Sequence, residues 1–140
     1  MARLLLDTSV LIAAERRQLS SDVISQADIE ARLSVSVITV SELLHGFHRA
    51  RTRSQRLSRG RFLTALLSEL EILPFDLFVA QEHARIWADL AERGAIVGAH
   101  DLIIAATALA HGAPVMTLND KEFRRVKGLD VRAVRVRESS

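Results

Sequence analysis

The 140-residue chain has no cysteine and no tyrosine, and aromatic residues make up only 4% of it. Without thiols there is neither a disulfide nor a thiolate metal site, and any bound metal must be held by oxygen or imidazole. So few rings leave no platform on which a single strand of nucleic acid could stack base after base. No apolar run reaches the roughly 20 residues of a membrane span. The opening MARLLLD is too short for a signal peptide and lacks a small-residue cleavage pattern, and for a chain without cysteine a cytoplasmic location is the simplest expectation. Acid is also missing locally. None lies between Glu42 and Glu69, whereas Arg49, Arg51, Arg53, Arg56, Arg59 and Arg61 all fall in that gap. Such a cluster suits phosphate or an acidic protein partner, and a solvated helical face is the plainer alternative.

What is present fits one domain over residues 1–140, with 49% hydrophobic residues to build a core. The formal net charge is only +2, so a small excess of arginine, with little to titrate above neutrality, sets the pI near 9.9. RLLL reads as a short buried strand, followed by a helix over about 9–16, the polar turn QLSSD, and a helix over about 22–32. LSVSVI alternates and is β-branched, a strand pattern. TVSELLHGFHRAR and RFLTALLSELE carry helical periods, and EILPF reads as a strand ending at a proline. A long helix over about 77–93 stops near Gly94, the apolar helix AHDLIIAATALAHG is closed by Gly112 as a C′ residue, and PVMTL and DVRAV are two more strands. Strands separated by helices imply crossovers, hence an α/β fold with a mostly parallel sheet that binds ligands beyond the carboxyl ends of its strands.

Acidic residues recur at those junctions. Asp7 follows the first strand, Glu42 the second, Asp101 opens the apolar helix, and Asn119, Asp120 and Glu122 follow PVMTL. Each has a local explanation. Asp7 can cap the next helix, Thr39 to Glu42 fits a capping box, Asp101 favours a helix N-terminus, and Asp120 and Glu122 suit a solvated turn. Taken together they would repel and raise each other's pKa unless a divalent cation joined them. An all-oxygen set of this kind favours Mg²⁺ or Mn²⁺ over zinc. Thr8, Ser9, Thr117 and Asn119 are placed to orient carboxylates or waters. Such a site suits phosphodiester hydrolysis.

LLLDTSVLI, TVSELLHG, HDLIIAATALAHG and PVMTLNDKEFRRVKGL resemble, in order and spacing, the motifs of PIN-domain ribonucleases, and more narrowly of the VapC-type toxins of toxin–antitoxin pairs. The resemblance implies a three-layer α/β/α sandwich around a short parallel sheet and an acidic pocket for Mg²⁺ or Mn²⁺. It places the family's first three acids, and with them the metal-binding set, on Asp7, Glu42 and Asp101. Asn119 and Glu122 match the fourth region and Asp120 is an extra acid between them, so Asp120 and Glu122 both stand as candidate catalytic acids. It further implies cleavage of structured RNA (tRNA or ribosomal RNA), growth arrest, inhibition by a small antitoxin, and a homodimer without membrane attachment. A free-standing nuclease without antitoxin and an inactive binding module are the alternatives.

Other features weigh less. His45, His48, His83, His100 and His111 show no HxH or HExxH spacing, and Trp87, at helical spacing with His83 and Leu90, reads as packing. Arg49, Arg51, Arg53, Arg124 and Arg125, with Lys127, are candidate contacts to RNA or antitoxin. A phosphotransferase of the haloacid dehalogenase type also places an aspartate after its first strand. It needs a second aspartate two residues on, where this chain has Ser9.

Overall fold

The computed structural model describes residues 2–136. Strand β1 (Arg3–Leu6) is followed by α1 (Thr8–Glu15), α2 (Ser21–Glu30), β2 (Arg32–Ser36), α3 (Val37–His48), α4 (Arg53–Glu69) and β3 (Glu71–Leu73). Helices α5 (Leu77–Arg93) and α6 (Ala99–Ala110) then lead to β4 (Val115–Thr117), the single-turn α7 (Asp120–Phe123) and β5 (Val131–Ala133). The sheet order is β3-β2-β1-β4-β5, and every neighbouring pair is parallel.

Alternation along the strands builds the three layers expected from the sequence. Leu5 and Val115 face a core completed by Val79, Ile86 and Leu90 of α5 and the apolar side of α6. Leu4, Leu6, Leu33, Val35 and Met116 face the other side, against α1 and α2. Successive side chains of a strand point to opposite faces, so a central strand covered on both sides must be apolar throughout, as RLLL nearly is. Among the described residues no helix is long and apolar enough to cross a membrane.

Three boundaries differ from the sequence reading. LSVSVI was expected as strand to its end, but β2 stops at Ser36, whose Oγ accepts from the Ile38 amide at 3.2 Å and caps α3. The β-branched Val37 and Ile38 therefore form a helical first turn, because a local hydroxyl cap outweighs a weak strand preference. The Thr39–Glu42 capping box is thus absent: Thr39 lies inside α3, fully buried. Helix α4 starts at Arg53, eight residues before the apolar period becomes visible, because Thr52 Oγ1 accepts from the Gln55 amide at 3.0 Å. Trp87, read as packing, is 60% exposed and meets His83 edge-on, as Phe75 also does.

The β3 edge is tied to the sheet centre by charge. Glu71 accepts from the Arg3 guanidinium on β1 and from Ser34 Oγ on β2 at 3.1 Å, and Arg32 lies 3.4 Å away. These partners, Arg3 foremost, hold the Glu71 carboxyl at about 2. A folded-state pKa below the unfolded one adds stability that is complete above the ordinary value of 4.5 and is lost as pH falls towards about 2. Glu71→Gln is expected to cost roughly 0.5–1 kcal/mol at pH 7. In urea unfolding at a series of pH values, the gap between variant and wild type should close between about pH 4.5 and 2.

Candidate active site

The chain moves outward from β1 to β2 and β3, then returns to place β4 on the other flank of β1. The sheet order therefore reverses between β1 and β4. In open parallel sheets this reversal opens a crevice at the carboxyl ends, where ligands bind. Asp7 follows β1 at that point and Thr117 ends β4.

Asp7 is 3% exposed and occupies the N-cap position of α1, yet its carboxylate makes no capping bond. Its Oδ2 instead accepts from Ser9 Oγ at 2.6 Å and from Thr117 Oγ1 at 2.8 Å. Each hydroxyl has one proton. Ser9 Oγ accepts from the Leu118 amide at 3.1 Å and Thr117 Oγ1 from the Asn119 amide at 2.8 Å, so both protons are committed to Asp7. Neither hydroxyl uses Oδ1. The bland explanation of Asp7 as a helix cap is thereby set aside.

Glu42, on the second turn of α3, accepts from Thr8 Oγ1 at 2.8 Å. Thr8 Oγ1 also lies 2.9 Å from Thr39 Oγ1, and since the Thr8 proton goes to Glu42, Thr39 is the donor between them. His100 Nδ1 stands 3.6 Å from the other Glu42 oxygen. Thr39 and His100 join the site without having been singled out for it. Thr39 lies three residues before Glu42, the spacing that puts two helical residues on one face, and that was the available signal.

Asp101 and Glu122 form the far wall. Asp101 sits in the first turn of α6, and burial, with the nearby charges of Asp7, Glu122 and Glu42, pushes its carboxyl up to about 7. Glu122 accepts from the Gly98 amide and from Asn119 Nδ2 at 2.6 Å, and the Gly98 bond above all holds its carboxyl below the usual range. Asn119 Nδ2 also reaches Asp101 at 3.5 Å. Gly98 is close enough that a Cβ there would meet Glu122 Oε1 at 3.3 Å and Asp101 Oδ2 at 3.8 Å. The sequence pointed to neither Gly98 nor its amide.

Asp120, a candidate catalytic acid from sequence, is not brought to this cluster. It pairs with Arg135 at 3.0 Å and Arg124 at 3.5 Å, which hold its carboxyl low. The reason is helical: Asp120 and Glu122 are two residues apart on α7, about 200° around its axis, so only one can face the site. Fully buried Phe123 fixes which.

Among the described residues no three acidic or histidine side chains stand grouped as a ready ligand cage, so the Asp7–Glu42–Asp101 metal set expected from sequence is not preformed. Thr8 holds Glu42, and Ser9 and Thr117 hold one oxygen of Asp7. The donors nevertheless fit Mg²⁺ or Mn²⁺. They are oxygens, their charges already press on Asp101, and Mg²⁺ needs only one or two carboxylates because it keeps several waters.

A basic hollow of about 460 Å³ opens beside Glu42, lined by His45, Arg49, Arg51, Gln55 and Arg59. Among the described residues none of the six arginines between Glu42 and Glu69 is in an ion pair. Arg53 lies outside the hollow's lining, on the exposed first turn of α4. Arg124 is engaged with Asp120, and Arg125 donates to the Ile96 carbonyl at 2.6 Å.

Residues 4–129 match the PIN domain. The chain belongs to the PIN-domain family. Within it, the chain is 37% identical over 131 residues to a Rickettsia felis protein named Ribonuclease VapC1, covering 94% of this chain and 96% of that one. It is 33% identical over 101 residues to a Salmonella typhimurium protein named tRNA(fMet)-specific endonuclease VapC, covering 72% and 74% respectively. The crystal structure of VapBC-5 from Mycobacterium tuberculosis, a member of the VapBC family of toxin–antitoxin systems, superposes with a TM-score of 0.74 at 33% identity over 97% of this chain and all of that one. This PIN domain is thus of the VapC kind, with the fold that the sequence motifs implied.

The raised Asp101 carboxyl has a measurable consequence. A folded-state pKa above the unfolded one means that the folded state binds more protons, so stability falls as pH rises from about 4 through 7. In EDTA the wild-type PIN domain should lose stability across that window, and Asp101→Asn should flatten the loss. Added Mg²⁺ should raise the wild-type melting temperature more than that of Asp101→Asn. Thermal melts at several pH values read both effects.

Proposed function

We propose that this PIN domain is a Mg²⁺- or Mn²⁺-dependent endoribonuclease toxin. It cleaves structured RNA in the cytoplasm, arresting translation and growth, and is kept inactive by a small cognate antitoxin. The observation that carries this reading is the buried Asp7 carboxylate, oriented by hydroxyls from both flanks of the β1–β4 crevice, whose charge acts with those of Glu122 and Glu42 on Asp101. The name of the Salmonella relative makes tRNA the first substrate to test, and the toxin–antitoxin membership of the Mycobacterium neighbour supports an antitoxin partner. A homodimer belongs to the same reading, and the exposed Phe75, Trp87 and Ile96 give it an apolar surface to use.

Asp7 and Asp101 would hold the ion, with Glu42 and Glu122 closing the pocket. When bound, the ion supplies an activated water and neutralises charge on the leaving oxygen. The protein's own part is placement. Ser9 and Thr117 fix the rotamer of Asp7, Thr8 and Thr39 fix Glu42, and Asn119 with the Gly98 amide fixes Glu122. Arg49, Arg51 and Arg53, which have no ion-pair partner among the described residues, meet phosphates of the RNA leading away from the pocket, and the hollow beside Glu42 gives that backbone room.

The test is cleavage of purified tRNA by the antitoxin-free protein. Wild type should cut in Mg²⁺ or Mn²⁺ and stop in EDTA. Asp7→Asn should abolish cleavage and growth arrest while its circular dichroism stays native, and Ser9→Ala should lose about 10- to 100-fold in rate. Full activity in Asp7→Asn, or in excess chelator, would overturn the reading. Alanine at Arg49, Arg51 and Arg53 should weaken RNA binding. It should also flatten the log–log salt dependence by roughly 0.7–0.9 for each phosphate contact removed.

A further inference from the structure

The acidic wall of the site depends on a segment that belongs to no helix or strand. Residues 95–98 join Gly94, which closes α5 in a left-handed conformation (φ 64°), to Gly98, the N-cap of α6. Gly98 donates its amide to Glu122 and stands beside Asp101, whose Oδ2 would lie 3.8 Å from a Cβ at this position, so the path of this segment bears on where both carboxylates stand. Packing secures only part of it. Ala95 and Val97 rest against the core, but Ile96 between them is 77% exposed and anchors nothing.

What holds the segment at Ile96 is an arginine relay from outside the site. Arg125, just after α7, donates Nη1 to the Ile96 carbonyl at 2.6 Å. Arg93, on the last turn of α5, donates to the Arg125 carbonyl, also at 2.6 Å. Arg93 is itself aimed by Asp89, whose Oδ2 accepts from its Nε at 2.9 Å and Nη2 at 2.8 Å, while Lys127 flanks Asp89 at 3.7 Å. The relay thus joins α5, the chain after α7 and the segment before α6, the three parts of the chain that meet behind Glu122. A guanidinium suits this task, because its donors are fixed in a rigid plane.

We propose that Arg125, braced by Arg93, is a positioning residue that clamps residues 95–98 so that the Gly98 amide holds Glu122 in the acidic pocket, rather than a contact for RNA phosphate. The proposal rests on the nuclease reading for its effect on turnover, but not for its effect on Gly98. Arg125 has its guanidinium turned onto a backbone carbonyl, whereas Arg49, Arg51 and Arg53 have no acidic partner among the described residues.

Arg125→Met separates the two roles. With the metal-free full-length protein, the Gly98 amide proton in a ¹H–¹⁵N spectrum should move upfield as its bond to Glu122 loosens. Mn²⁺ affinity by calorimetry should weaken about 10-fold, the order of effect seen when a ligand's supporting contact is removed. On tRNA, kcat should fall while KM and the salt dependence of binding stay as in wild type. An unmoved Gly98 resonance with unchanged Mn²⁺ affinity, and a KM that rises together with a flatter salt dependence, would make Arg125 a phosphate contact and overturn the clamp. Arg93→Met leaves the Arg125 charge in place and should shift Gly98 in the same direction, and an unmoved Gly98 in either folded variant also overturns the clamp. A wild-type protein that cleaves no RNA, yet shows the Gly98 shift in Arg125→Met, defeats the nuclease reading and leaves the clamp standing.

Discussion

The bonds from Ser9 and Thr117 to one oxygen of Asp7 are the contact on which the site depends. They join the ends of β1 and β4, neighbours in the sheet but more than a hundred residues apart in the chain. A carboxylate 3% exposed would be costly to leave ionised without donors, and here it has two, each committed by a backbone amide on its other side. The crevice is therefore electrostatically prepared before anything binds in it. The same contact ties the carboxyl ends of β1 and β4 where the sheet order reverses, beside the backbone bond from the Asp7 amide to the Met116 carbonyl.

Around that point the acids are sorted by what holds each. Glu42 and Glu122 are kept by close hydroxyl, amide and backbone donors, whereas Asp101 has only the long Asn119 contact at 3.5 Å against burial and the repulsion of its neighbours, which raise its carboxyl to about 7. An arrangement with one unrelieved carboxylate among satisfied ones accumulates charge where a cation would relieve it. Phosphodiester hydrolysis needs such a place, and the basic hollow beside Glu42 supplies the opposite charge for a polyanion arriving there.

The basic residues divide in the same way. Those before and at the start of α4 have no acidic partner among the described residues, because the sequence holds no acid between Glu42 and Glu69. Those after α7 are absorbed into the structure: Arg124 neutralises Asp120, and Arg125 holds a backbone carbonyl. Net charge alone, at +2, hides this division.

The sequence by itself determined an α/β fold with a mostly parallel sheet and the succession of strands and helices along the chain, and it put Asp7, Glu42 and Asp101 at element junctions. Apolar strand runs, helical periods and the positions of Asp7, Glu42 and Asp101 at element junctions are local signals, and local signals survive in a linear text. It misjudged the end of β2, because a serine cap decides between two conformations that Val37 and Ile38 both tolerate. It placed α4 too late, because the polar first turns of that helix show no apolar period. Only the tertiary structure decided between Asp120 and Glu122, since that choice turns on which side of a four-residue helix buried Phe123 faces. The bonding of Thr39 and His100 to the site, and the Gly98 amide, also became visible only when folded. Their roles are set by partners distant in sequence, and a backbone amide carries no residue-specific mark at all.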